Sequence, residues 1–305
     1  MMNKSSGYSM GITYTIAAYA AWGTLPLYWY LLKELPAIEV FAHRILWSFV
    51  FASVILFVIG GWKHCKQILL SGAKTFWMFI AAILISTNWL LFIWAVSSSH
   101  VIEASLGYYI SPLFSVILGI IFLREKLDLW KNISLLLAIG GVVVIMFQLG
   151  GIPWISIVIA SSFALYGLVK KLVKVESIAS VTLETMFILP IVLFYLFYIG
   201  RTGDSSFGHL SLPVTILLIG GGVVTALPLV WFAKGAQQVS LTTLGFLQYI
   251  NPTLQLLVGV FIFQETFTRT HFMGFSLIWC ALLLFSFSQL NLMQRLKAEP
   301  IKKVV

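Results

Sequence analysis

The sequence predicts an all-α polytopic membrane protein of ten transmembrane helices, arranged as two inverted five-helix repeats. Three observations carry this. Of 305 residues, 60% are hydrophobic and only 10% charged, with a mean hydropathy of +1.00, which leaves too little polar surface to cover a water-soluble sphere. The apolar residues fall in runs of roughly 20, each about long enough to cross a hydrocarbon core of about 30 Å. Finally, YYISPLFSVILGIIFLREK, Tyr108 to Lys126, returns as QYINPTLQLLVGVFIFQET, Gln248 to Thr266.

The runs follow in order. Gly11 to Leu32 is too long for a signal-peptide core, and no convincing small-residue cleavage site follows it, so it is expected to stay as an anchor. Glu39 to Gly60 opens with Glu39, His43 and Arg44. Thr75 to Ser97 carries Asn88 and Trp89 near its middle. Val101 to Leu123 starts beside Glu103 and contains Pro112, and Trp130 to Leu149 closes the first copy. Ile152 to Val169 opens the second. Ala179 to Ile199 then holds Glu184, Pro213 to Ala236 holds Lys234, Ser240 to Phe263 contains Pro252, and Thr270 to Leu290 ends the series. None shows the period-two alternation of a barrel strand. The predicted division is residues 1–149 and 150–290 for the two repeats, joined near Gly150 and Gly151, with a basic cytoplasmic tail at 291–305.

Alternating crossings put Lys4, Lys63, Lys66, Lys74, Arg124, Lys126, Lys131, Lys170, Lys171, Lys174, Arg295, Lys297, Lys302 and Lys303 on one side. Lys33, Arg201 and Arg269 fall on the other. Basic residues favour the cytoplasmic side, so both termini are predicted cytoplasmic. The net charge of +9 is thereby explained without nucleic acid, since the cations are scattered over short loops rather than lining a groove with stacking aromatics. Cys65, in a loop, and Cys280, in the last run, offer neither metal spacing nor a disulfide framework.

Aligning Pro112 with Pro252 places Tyr109 on Tyr249, Ile110 on Ile250, Gly119 on Gly259 and Glu125 on Glu265 without a gap. The earlier helices echo more faintly: AAWG ending at Gly23 matches ALYG ending at Gly167, and PAIEVFAH parallels SIASVTLE. Five crossings per copy force the second copy to enter from the opposite face, giving a pseudo-two-fold axis in the membrane plane. Such halves make two nearly equivalent conformations available, one open to each side.

Proline lacks the amide hydrogen for the carbonyl four residues earlier. Tyr108 and Gln248 are therefore expected to carry partly freed carbonyls, which in lipid need another partner. Two kinked helices, centred on Pro112 and Pro252, should frame a shared cavity. Its expected lining is Trp22, Asn88, Trp89, Tyr108, Ser111, Gln248, Asn251 and Gln255, with Gly119 and Gly259 as helix contacts.

A charge at the bilayer centre costs at least about 2.5–3.5 kcal/mol, so ionisable groups within spans face protein or water. Arg44 is expected to pair with Glu103 or Glu39 in an outer gate, and Glu184 with Lys234 in an inner one. His43 lies four residues from Glu39, on one helix face. Should protons drive the cycle, Glu184 is the favoured coupling group, because a dry site raises a carboxyl pKa.

With FAHRILWSF, NWLLFIWAV, EASLGYYISP, LETMFILP and LGFLQYINPT in view, the sequence resembles the RarD-like branch of the EamA family, in the drug/metabolite transporter superfamily. The resemblance implies a permease of the bacterial inner membrane that moves a small organic molecule, with efflux favoured. It implicates His43, Arg44, Asn88, Trp89, Glu103 through Pro112, Glu184 and Gln248 through Pro252; Lys234 is outside that pattern. A channel, or an intramembrane enzyme acting on lipid, is the alternative. No catalytic constellation, metal site, ATP-binding loop or cofactor is expected. The partners are the bilayer and a small-molecule substrate, with the chain a monomer or weak homodimer.

Overall fold

The computed structural model describes residues 4–97, 101–149, 154–264 and 269–298. These residues form α1 Lys4–Tyr30, α2 Ala37–Val58, α3 Trp62–Leu70, α4 Gly72–Ser97, α5 Val101–Leu123, α6 Leu129–Leu149, α7 Trp154–Val173, α8 Ser177–Thr202, α9 Leu212–Gln238, α10 Leu241–Gln248, α11 Ile250–Phe261 and α12 Arg269–Ala298. No strand occurs among the described residues. Eight candidate spans, counting α10 and α11 as one, are long and apolar enough to cross a membrane. The helices α1 and α12 fill the remaining two of ten crossings. Phe57, Phe147, Phe194 and Leu283 are each more than 70% exposed, which suits a surface solvated by lipid.

The inversion is visible in the packing of equivalent helices. Along α5 and α10, Glu125 meets Leu241 and Thr242 while Ser111 meets Gln248, so rising numbers in one helix face falling numbers in the other. Asp128 and Trp130 of α6 touch Ser288 and Phe287 of α12, whereas Gly141 lies against Gly274. Fourth helix against fourth and fifth against fifth both run antiparallel. The duplication also reaches the backbone: Arg124 and Gln264, equivalent in the repeat, follow their helices with φ of 52° and 57°, the left-handed conformation that ends a helix.

Close contact between helices rests on missing side chains. A Cβ on Gly141 would lie 2.7 Å from the Gly274 carbonyl oxygen, and one on Gly222 would collide with the Trp47 backbone. Membrane helices lack a hydrophobic drive toward each other, so such close approach supplies the packing.

Four sequence expectations change. The ninth run is broken, because α10 ends at Gln248 and α11 begins at Ile250. Pro252 cannot donate to the Gln248 carbonyl, and Tyr249 bonds back to Phe246 at 3.3 Å instead. Pro112, by contrast, sits inside a continuous α5, so the two prolines are not equivalent kinks. Lys170 belongs to α7 and is 2% exposed, not a loop cation. Between α2 and α4, the short α3 buries Cys65 and Ile68, and burial pushes the Cys65 thiol up to about 11, which leaves it a poor nucleophile at neutral pH. The junction at Gly150 and Gly151, the repeat partner Glu265 and the tail residues 299–305 lie outside the described residues.

Candidate functional site: a central cavity above an aromatic plug

The termini of α1 and α12 lie on one face, since Tyr8 bonds to Thr243 beside the start of α10, and Ser288 bonds to Asp128 beside the start of α6. Between this terminal face and the opposite one, a cavity of ≈130 Å³ is lined by residues of α1, α2, α4, α5, α7 and α11. Six of the eight expected lining residues are there: Trp22, Asn88, Trp89, Tyr108, Asn251 and Gln255. Ser111 and Gln248 are not; they lie buried between α5 and α10, where Gln248 Nε2 donates to Ser111 Oγ at 2.8 Å.

The cavity's polar wall is ordered by hydrogen bonds. Asn88 is fully buried and donates to the Ile159 carbonyl at 2.8 Å and to Ser162 Oγ at 3.1 Å, tying α4 to α7. Its own oxygen accepts from Tyr108 at 3.4 Å, so one residue both holds the bundle and aims an aromatic. Gln255 donates to Asn251 one turn earlier at 3.0 Å. Arg44 donates through Nε to Thr225 at 3.2 Å, and its guanidinium lies 4.2 Å from the Trp89 ring centroid and 5.1 Å from that of Trp29.

Below the cavity, toward the terminal face, Trp22 and Phe163 pack on Phe232 at 5.6 and 5.4 Å between ring centroids. Phe232 in turn stacks on Tyr166 at 5.5 Å and 11°. This aromatic plug ends on a buried ion pair. Glu184 accepts from Lys170, from Ser180 at 2.8 Å and from Tyr166 at 3.0 Å, while Lys170 also donates to Ser180 at 2.7 Å. A buried charge needs such a full complement of partners.

The expected gates are redrawn accordingly. Glu184 pairs with Lys170, not Lys234, whose Nζ lies over the Tyr14 ring at 5.2 Å. Glu39 does not pair with Arg44: its Oε1 accepts from the Ser206 and Phe207 amides at 2.8 and 3.2 Å and from Ser205 Oγ at 3.2 Å. His43 stacks on Phe207 at 4.6 Å, so both residues pin the α8–α9 loop to the start of α2. The side chain of Glu103 lies outside the described residues. Sequence reasoning missed Lys170, Tyr166 and Trp29; the four-residue spacing of Tyr166 and Lys170, on one helix face, is the signal that could have found two of them.

Larger cavities, of ≈250 to ≈540 Å³, lie elsewhere; those of ≈540 and ≈320 Å³ are lined almost wholly by apolar residues such as Ile38 and Leu90. Both residues are 49% exposed, and the physical reading is grooves filled by lipid. The central cavity, whose wall brings together Arg44, Asn88, Tyr108, Asn251 and Gln255, is the better candidate despite its size.

Comparison with known proteins places this arrangement. The model of the EamA-like transporter family matches twice, over residues 9–147 and 149–287. The uncharacterized transporter YojE of Bacillus subtilis is 47% identical over 92% of this chain and 95% of its own. Protein RarD of Escherichia coli is 41% identical over 90% and 93%. A solved crystal structure superposes with a TM-score of 0.70 at 16% identity, covering 96% of this chain and 99% of that one, a likeness of fold alone. With a family model matched twice along the chain and close full-length relatives, this multi-pass membrane transporter belongs to the EamA-like transporter family, in its RarD-like branch.

Proposed function

We propose that the protein is a secondary carrier of the bacterial inner membrane, exporting a small organic molecule by alternating access, with both termini cytoplasmic. One observation carries the reading: equivalent positions in the two halves are in opposite states. In the repeat register Gln248 and Ser111 correspond to Tyr108 and Asn251. The first pair is bonded at 2.8 Å, whereas Tyr108 and Asn251 both border the cavity and are bonded elsewhere, to Asn88 and Gln255. Exchanging the closed contacts between halves would open the terminal face and seal the other.

On this reading residues 1–149 and 150–290 are the two moving units, and 291–305 is a cytoplasmic extension of the second. Glu184 and Lys170 close the inner side. Glu39 and His43 hold the outer loop, and Glu103 contributes at the outer end of α5. Efflux is favoured by the RarD-like resemblance. Glu184 is the group through which a proton would act, because protonating it removes the charge that holds Lys170.

The test uses a variant with Cys65 and Cys280 replaced by serine. A thermal-shift screen of the purified protein supplies a ligand for counterflow in proteoliposomes. Cross-linking Ser111→Cys to Gln248→Cys should abolish saturable counterflow, and reduction should restore it. Undiminished flux through the cross-linked protein would sink the proposal; non-saturable flux would indicate a channel, and product formation an enzyme.

A further inference from the structure

Resting on the reading of the central cavity as the substrate site, we infer that it selects a small organic oxyanion, a carboxylate or phosphate ester, with a flat apolar body. Arg44 is the one charged residue among the described residues lining the cavity. A guanidinium carries five N–H donors in a rigid fork suited to oxyanions. Among the described residues only Nε has a hydrogen-bond partner, Thr225, and no carboxylate pairs with Arg44. Glu39, on the same helix, is spent on the α8–α9 loop. The other polar lining groups, Asn88, Tyr108, Asn251 and Gln255, are neutral donors and acceptors. The cavity as described therefore carries one positive charge without an acid to balance it.

An unbalanced charge in a partly dehydrated site is costly until a counter-charge arrives. The same low dielectric strengthens its pull on an anion. Trp89 and Trp29 flank the guanidinium at 4.2 and 5.1 Å without using its N–H donors, and Arg44 itself lines the cavity. Those contacts also argue against a cationic occupant. An aromatic cage can hold a quaternary ammonium, but here two of its faces already serve Arg44, which would repel a second cation. Trp22, Phe92 and Phe163 offer further flat apolar wall, and ≈130 Å³ suits a one-ring molecule better than a drug-sized one.

The experiment is equilibrium binding to the purified full chain in detergent, read by thermal shift and tryptophan fluorescence. The probes are benzoate, phenyl phosphate, benzamide and benzyltrimethylammonium, with wild type and the variants Arg44→Gln, Arg44→Lys and Glu103→Gln. One or both anions should bind saturably to wild type. They should bind Arg44→Gln about tenfold or more weakly, Arg44→Lys to an intermediate degree, and Glu103→Gln at least as tightly as wild type. Which anion binds names the oxyanion. Anions that fail on wild type, bind no better than benzamide or the ammonium probe, or bind Arg44→Gln undiminished overturn the inference, and the wild-type arm does so even if the variants fold poorly. Binding requires no transport, so the two readings fail separately. Saturable anion binding without counterflow defeats the carrier, while counterflow of a cation without anion binding defeats only this inference.

Discussion

Lys170 and Glu184 show what a single pair of side chains can decide. Glu184 is legible from sequence as an acid within an apolar run, yet its partner is not. Lys170 sits beside Lys171 and Lys174 in what reads as a loop, and Lys234 looks equally available. The choice is made in three dimensions, where the side chains of Tyr166 and Lys170 on α7 reach Glu184 on α8 and both members of the ion pair are buried to 2–3% exposure. Removing one partner strands a buried charge, so Lys170→Met or Glu184→Gln alone should lose about 3–5 kcal/mol. The double variant Lys170→Met with Glu184→Met should recover most of that, because a packed apolar pair replaces an ion pair at little net cost. Thermal unfolding of the four proteins in one detergent checks this; single and double variants that melt alike would refute it.

For helices, the sequence locates most of the segments but not their interruptions. The apolar runs give α2, α4 through α9 and the start of α12 within a few residues, because length and hydropathy are properties of the chain itself; α12 runs on to Ala298, eight residues past the expected end. The break between α10 and α11 is invisible at that level, since Pro112 and Pro252 share a local pattern and only one of them interrupts a helix. What differs is what surrounds them. Glu125 accepts from the Leu241 and Thr242 amides at 2.6 and 2.8 Å, capping α10 from the α5–α6 loop, and a carboxylate at a helix N-terminus is favourable. Glu125→Ala should cost about 0.5–2 kcal/mol and expose the start of α10 to hydrogen exchange, measured by mass spectrometry; unchanged protection would argue against the cap. Gly222 supports a harsher test, since a side chain there meets the Trp47 backbone. Gly222→Leu should overpack the α2–α9 contact by about 1–3 kcal/mol or more, read as a lower melting temperature.

On the carrier reading, the molecule as a unit is two opposed copies held in unlike states, closed toward the termini and open beside Arg44. The proposed orientation in the bilayer, argued from the distribution of lysine and arginine, makes a direct prediction. Reporter fusions at both ends should be active only as cytoplasmic enzymes, and a tag placed in the α8–α9 loop, residues 203–211, should be reached by an impermeant reagent from outside the cell. A tag reached only after permeabilisation would reverse the assignment and turn the open cavity toward the cytoplasm.

Hydropathy, the count of crossings and the repeated proline motif are one-dimensional properties, and they were enough for a ten-helix inverted membrane fold and for six of the eight cavity residues. Which partners Glu184, Glu39 and Arg44 take depends on how separate helices pack together. Ser111 with Gln248 and Lys170 with Glu184 each join two different helices, so the pairing is set by their relative placement in space, and no local pattern records it.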